Sequence, residues 1–183
     1  MMGAEAQERI LFSEEQIASR VKEVAREIAG APLRPGIAVP ILAGAFVFAA
    51  DLLRALASEG LDLETEFIWL RSYGASDTPS EIAVLKGPGD LVRGRTVLMI
   101  DGVLDRGVTC ARARQLLMAA GAVQVICAVA VVKSYPDARY RADYALFRAG
   151  EEFLYGYGMD RASLSRGLPD IRVTENKKLS RPA

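Results

Sequence analysis

Two apolar runs separated by a single helix constrain this chain more than any other feature. "TVLMID" (96–101) and "VQVICAVAVVK" (123–133) are almost continuous in Val, Ile, Leu, Met and Ala. A strand that reads this way is buried on both faces, as in a parallel sheet covered by helices. Between them, "VTCARARQLLMAAG" (108–121) has helix-forming composition and closes on Gly121. Strand, helix and strand at this spacing predict a parallel crossover unit, and with it an α/β fold.

The flanking sequence extends the alternation. "SEEQIASRVKEVAREIAG" (13–30) predicts a helix: Ser13 and Gln16 have capping-box spacing, and Ile17, Val21, Val24 and Ile28 share one face before Gly30 and Pro32 end it. "GIAVPILAG" (36–44) predicts a strand, although Pro40 argues against a central, fully paired position. "AFVFAADLLRALASEG" (45–60) predicts a helix with Phe46, Ala49, Leu52, Leu53 and Leu56 on its apolar stripe. "TEFIWLRSY" (65–73) predicts one strand, "GASDTPSE" (74–81) a mobile loop and "IAVLKG" (82–87) the returning strand of a hairpin. "ADYALF" (142–147) and "EFLYGYGMD" (152–160) are two further strand-like pieces. The expectation is one domain over residues 1–173 and a polar, frayed tail over 174–183.

Composition removes whole classes of chemistry. The sequence has no histidine, so acid–base work falls to Asp, Glu, Lys or Tyr. Its 23 basic and 23 acidic residues cancel, and nothing in that balance points to nucleic acid or a membrane surface. Cys110 and Cys127 lie far apart without a CxxC pattern and read as reduced, buried thiols. No apolar run approaches the ~20 residues of a spanning helix, and no secretory signal pattern is present. A soluble cytoplasmic protein is the expectation.

The junction after the first apolar run carries the chemistry. In "VLMIDGVLDRGVTCARA" (97–113) the predicted strand ends on Asp101, and Asp105 follows in a turn with Gly102, Gly107 and Thr109 before the helix. Ligands of such sheets sit beyond the carboxyl ends of the strands. The turn from Asp105 to Thr109 can converge its amides on a phosphate, aided by the helix dipole and the Thr109 hydroxyl. Asp101 can serve a sugar diol or a magnesium ion on the same ligand. Neither G-x-x-x-x-G-K-[ST] nor G-x-G-x-x-G is present, so the pattern is that of a phosphosugar site and not of a P-loop or dinucleotide turn.

This stretch resembles the 5-phosphoribosyl-1-pyrophosphate (PRPP) motif of type I phosphoribosyltransferases. "LAGAFVFAADLLRAL", "SYGASD", "VLMIDGVLDRGVT", "VVKSYPDARYRADYALF", "EFLYGYGMD" and "SRGLPDI" match, in order, successive segments of the hypoxanthine-guanine phosphoribosyltransferase family. The resemblance implies the type I fold: a mostly parallel twisted sheet flanked by helices, a small hood from terminal segments and a flexible lid loop. It implies transfer of ribose 5-phosphate from PRPP to N9 of a 6-oxopurine, releasing pyrophosphate, with Mg2+ as cofactor. By position, Asp105, Gly107, Val108 and Thr109, with Arg106 between them, would hold the 5-phosphate, and Asp105 would also be the acid/base group near purine N7. Asp101 would bind the ribose hydroxyls, Lys133 the 6-oxo group, Phe153 the base face, and the main chain at Leu154 the other edge of the purine. Asp160 would bind magnesium and Arg166 pyrophosphate. Leu42, Ala43 and Gly44 would form the pyrophosphate loop, and Ser72 and Tyr73 would sit on the lid. The family also implies a homodimer or homotetramer.

The chain departs from the family pattern at named positions. Gly102 replaces the second of two adjacent acidic residues, Arg106 stands where a small hydroxyl residue is usual, and Ala43 stands where lysine is frequent. Arg148, Ala149 and Gly150 replace an acidic–apolar–proline run. Each lost hydrogen bond to a charged group is worth ~1.5–3 kcal/mol. The alternative reading is therefore a weak or inactive paralogue that binds a nucleotide or phosphosugar in a regulatory or interaction role.

Overall fold

The computed structural model describes residues 8–72, 82–135 and 138–174. In chain order these form β1 (Glu8–Phe12), α1 (Glu14–Gly30), β2 (Ile37–Leu42), α2 (Phe46–Ser58), β3 (Glu64–Thr65), β4 (Ile68–Ser72), β5 (Ile82–Lys86), a 3-10 turn (Asp90–Val92), β6 (Thr96–Leu104), α3 (Val108–Ala119), β7 (Gln124–Lys133), β8 (Tyr144–Ala149), β9 (Phe153–Tyr155) and β10 (Ile171–Thr174). Of the predicted tail over 174–183, Thr174 is instead buried at the end of β10; the rest of it, the loop over 74–81 and Tyr73 lie outside the described residues.

Parallel pairing organises the main sheet. Its strand order is β5-β4-β2-β6-β7-β8, with β3 on β2, and only β5 runs antiparallel to its neighbour. The apolar runs are continuous because both faces of the sheet are covered. Along β6, Leu98 and Ile100 face α1 and α2, packing with Val24, Ile28, Phe48, Leu52 and Leu56. The alternate residues Val97 and Met99 face α3, packing with Cys110, Ala113 and Leu117. This period of two is the pleat of the strand.

The readings at Pro40, Phe46 and residues 65–73 need correction. Pro40 does lie in a central strand, opposite Ile100 of β6. Its position is tolerated because the carbonyl of Ala38 accepts from Glu66 on the β3 side, and the nitrogen two residues on faces that same side, where residues 66–67 interrupt the pairing. Phe46 is not on the buried stripe of α2: it is 44% exposed, and Phe48 joins Ala49, Leu52 and Leu56 inside. Helix geometry puts Phe46 roughly a quarter-turn from the centre of that stripe. The predicted strand over 65–73 is two pieces, β3 and β4, both pairing with β2.

The hood is a three-stranded antiparallel sheet of order β1-β10-β9. It docks through Leu154, Ile171 and Val173 onto the core shared with α1 and α2. Helix α1 starts as predicted: Ser13 is its N-cap, with Gln16 Oε1 accepting from the Ser13 amide at 2.8 Å and Ser13 Oγ accepting from the Gln16 amide at 3.4 Å. No described helix is long and apolar enough to cross a membrane.

Removing this box should destabilise the domain without touching the site. Ser13→Ala is expected to cost about 1 kcal/mol, or roughly 2–4 °C in Tm, by thermal unfolding.

Candidate active site

The turn after β6 opens helix α3 without a side-chain cap. Gly107 caps α3 with a left-handed φ of 76° and offers no side-chain capping bond. A Cβ there would lie 2.8 Å from both the nitrogen and the Cβ of Tyr140, so packing as well as conformation requires glycine. The first amides of a helix have no intrahelical acceptor. Among the described residues no carbonyl or side chain accepts from the amides of Val108, Thr109 or Cys110. The Arg106 guanidinium carbon lies 4.8 Å from the centre of the Tyr135 ring, and its carbonyl accepts from the Arg139 amide at 2.9 Å.

Asp101 sits inside the strand and not at its end, which corrects the sequence reading. Pairing with β7 continues past Asp101↔Val129 to Leu104↔Val132, because Val103 and Leu104 carry on the apolar register. Asp101 is only 8% exposed. Oδ1 accepts from the Gly102 amide at 2.7 Å, and Oδ2 accepts from Cys110 Sγ at 3.4 Å. Burial pushes its pKa from 3.8 up to about 6, partly offset by these two donors. The Cys110 thiol is pushed well up by its hydrogen bond with Cys127, by burial and by the Asp101 charge, so it stays protonated as a donor.

The β6/β7 register also brings Asp105 beside Lys133. Lys133 closes β7, is 7% exposed, and places Nζ 3.3 Å from Asp105 Oδ2. A strand-end lysine that merely reached solvent would not be buried against a carboxylate. Tyr135, two residues on, joins this group. Its phenol pKa is raised first by burial and then by the Asp105 charge. Nothing in its spacing distinguishes Tyr135 from an ordinary loop aromatic, so sequence reasoning passed over it.

The hood and the β2–α2 turn supply the remaining predicted residues. Asp160 Oδ1 accepts from Arg166 Nη2 at 2.7 Å and its Oδ2 accepts from the Ser163 amide at 3.1 Å. Arg166 Nη1 donates to the Gly158 carbonyl at 2.8 Å. Leu42, Ala43 and Gly44 lead from β2 into α2, with a cis peptide between Leu42 and Ala43. A Cβ on Gly44 would be 3.9 Å from Asp101 Oδ1, so this turn borders the buried carboxylate. Phe153 is half-buried at the start of β9, and Leu154 is buried opposite Val173. Ser72 ends β4. The structure therefore brings together Gly44 with Asp101, Asp105 with Lys133, and Asp160 with Arg166.

The phosphoribosyl transferase domain family matches residues 9–160. A hypoxanthine-guanine phosphoribosyltransferase of Aquifex aeolicus is 34% identical over 172 residues, covering 92% of this chain and 95% of that protein. The chain belongs to the hypoxanthine-guanine phosphoribosyltransferase family. The Bacillus subtilis hypoxanthine-guanine phosphoribosyltransferase is 33% identical, covering 91% of this chain and 92% of its own length. The Trypanosoma cruzi hypoxanthine phosphoribosyltransferase in complex with the product IMP superimposes with a TM-score of 0.80 at 29% identity, covering 98% of this chain and 99% of that one. The fold is the type I phosphoribosyltransferase fold.

The buried carboxylate of this family member should make stability depend on pH. Its folded pKa lies above the unfolded value, so the folded state binds the extra proton between pH 3.8 and about 6, and stability falls as pH rises through that window. Asp101→Asn is expected to be the more stable protein at pH 7.5, by at most about 3 kcal/mol and seen as a higher Tm, and to lose that advantage below pH 4. Thermal unfolding of both proteins from pH 4 to 8 checks this.

Proposed function

We propose that this chain transfers the 5-phosphoribosyl group of PRPP to N9 of hypoxanthine or guanine, giving IMP or GMP and pyrophosphate in purine salvage. The observation that carries this reading is the Asp105–Lys133 pair beside the open first turn of α3. An anion seat, a proton-handling carboxylate and a buried ammonium next to one another match a phosphosugar and a 6-oxopurine bound side by side. Family membership and the IMP-bound T. cruzi neighbour support it.

Each residue then has a physical task. The amides of residues 107–110 take the 5-phosphate, with the Thr109 hydroxyl adding a donor. Asp101 accepts from the ribose hydroxyls. Lys133 donates to the 6-oxo group; a 6-amino purine would set an N–H donor against that ammonium in place of an acceptor, which is how the site discriminates. Asp105 holds or releases the proton at purine N7 as the bond to N9 forms. Phe153 covers the base and the main chain at Leu154 reads its other edge. Ser72 and Tyr73 would belong to the lid that closes over the reacting centre and excludes water from a cationic transition state.

Asp160 suits a magnesium ion that arrives with its substrate. Among the described residues no cluster of three or more acidic or thiol ligands forms a cage. Magnesium commonly uses one or two carboxylates, several waters and substrate phosphate oxygens. Asp160 is partly exposed, and each oxygen has one protein donor, leaving lone pairs for such an ion. When bound, Mg2+ neutralises charge on the pyrophosphate leaving group. Arg166 contributes the protein's own cation there, and Leu42, Ala43 and Gly44 border the same region.

Exposed Phe46, Phe67, Trp69 and Leu85, on α2 and around β4 and β5, favour a homodimer or homotetramer. Reduced Cys110 and Cys127 suit a cytoplasmic setting. Gly102 and Arg106 favour one second reading, a paralogue that binds a nucleotide or phosphosugar with little turnover.

Steady-state assays with hypoxanthine or guanine, PRPP and Mg2+ separate these. Asp105→Asn is expected to lower kcat by roughly 10²-fold or more while GMP affinity changes by less than about threefold. Equal losses in both would remove Asp105 from proton transfer. An unmodified protein that binds GMP tightly without turnover would establish the second reading.

A further inference from the structure

We propose that Gly102 and Gly158 form a main-chain seat for the Gly44 carbonyl, which makes Gly102 a positioning residue for the pyrophosphate loop. The proposal rests on the phosphoribosyltransferase reading above.

The geometry is specific. A Cβ at Gly102 would lie 2.6 Å from the Gly44 oxygen, 3.1 Å from its carbonyl carbon and 3.5 Å from Met159 Cγ. A Cβ at Gly158, where φ is 95°, would lie 2.7 Å from the same Gly44 oxygen and 3.5 Å from Val47 Cβ. One carbonyl is thus held between two α-carbons from different parts of the fold, one on β6 and one following hood strand β9. The obstacle in both cases is main chain, which cannot swing aside as a side chain can.

The seat joins groups that the reaction needs in register. Its β6 wall adjoins Asp101, whose Oδ1 accepts from the Gly102 amide at 2.7 Å. Its other wall is held by Arg166: the Gly158 amide donates to the Arg166 carbonyl at 2.9 Å, and Arg166 Nη1 donates back to the Gly158 carbonyl at 2.8 Å. Gly44 is thereby placed between the ribose carboxylate and the Asp160–Arg166 pair. An acidic side chain at 102 and the loop in this position exclude each other. Gly102 is therefore more than a missing contact: its lack of a side chain places the loop before substrate arrives, leaving Asp101 as the one carboxylate of that acidic pair at the ribose.

The test compares Gly102→Ala and Gly102→Asp with the unmodified protein. Gly102→Ala is expected to stay folded and to weaken pyrophosphate about tenfold or more, read both as its Kd by calorimetry with Mg2+ and as its KM in the reverse reaction. GMP affinity should change by less than about threefold, a split that a general loss of structure would not produce. Gly102→Asp should fall below the unmodified protein in kcat/KM for PRPP. Unchanged pyrophosphate affinity in Gly102→Ala, or equal or higher activity in Gly102→Asp, overturns the seat; if Gly102→Asp does not fold, Gly102→Ala decides alone. A protein that binds pyrophosphate but does not turn over defeats the functional reading and leaves the calorimetric comparison intact. One that does not bind pyrophosphate overturns both.

Discussion

The parallel register between β6 and β7 is the constraint on which the site depends. Pairing from Thr96↔Gln124 to Leu104↔Val132 means that the residues just past each strand's paired end emerge side by side. Asp105 and Lys133 meet for that reason, not through any closeness in sequence. The crossover helix α3 returns the chain to start β7, and its own first turn opens next to the same strand ends. One register thus sets an uncapped helix N-terminus, a carboxylate and an ammonium at a single edge. Slipping it by one residue would turn every side chain of the strand to the opposite face and separate them.

Charge burial at this edge works against stability. Asp101 is held where its charged form is disfavoured, and among the described residues the Gly102 amide and the Cys110 thiol compensate it. Lys133 is buried with Asp105 as its ion-pair partner. Such groups contribute little to folding and are expensive when unpaired. Their presence beside an unfilled helix N-terminus is what a site prepared for a charged ligand requires, since the ligand supplies the missing partners.

The sequence disclosed the parts of the fold that repeat with a period. The capping box at Ser13, the βαβ unit around 96–133 and the β4–β5 hairpin all carry local signals that tertiary contacts do not override. The hood strands β1 and β10 went unread because ERILF and IRVT are too short to show their alternation, and each is stabilised by a partner more than 150 residues away. The Asp105 turn was legible from residue type. The Lys133 contact needed the register, and Tyr135 needed both. Gly102 was the hardest to interpret: its letter records only an absent side chain, while the Gly44 carbonyl filling that space belongs to a different segment of chain.

The central claim is that the first turn of α3 receives the phosphate of a phosphoribosyl ligand. A crystal structure with GMP tests it most directly. The account predicts phosphate oxygens within ~3 Å of the amides of residues 107–110, with Asp101 facing the ribose. A phosphate bound elsewhere, with those amides engaged by the protein's own carbonyls, would contradict it.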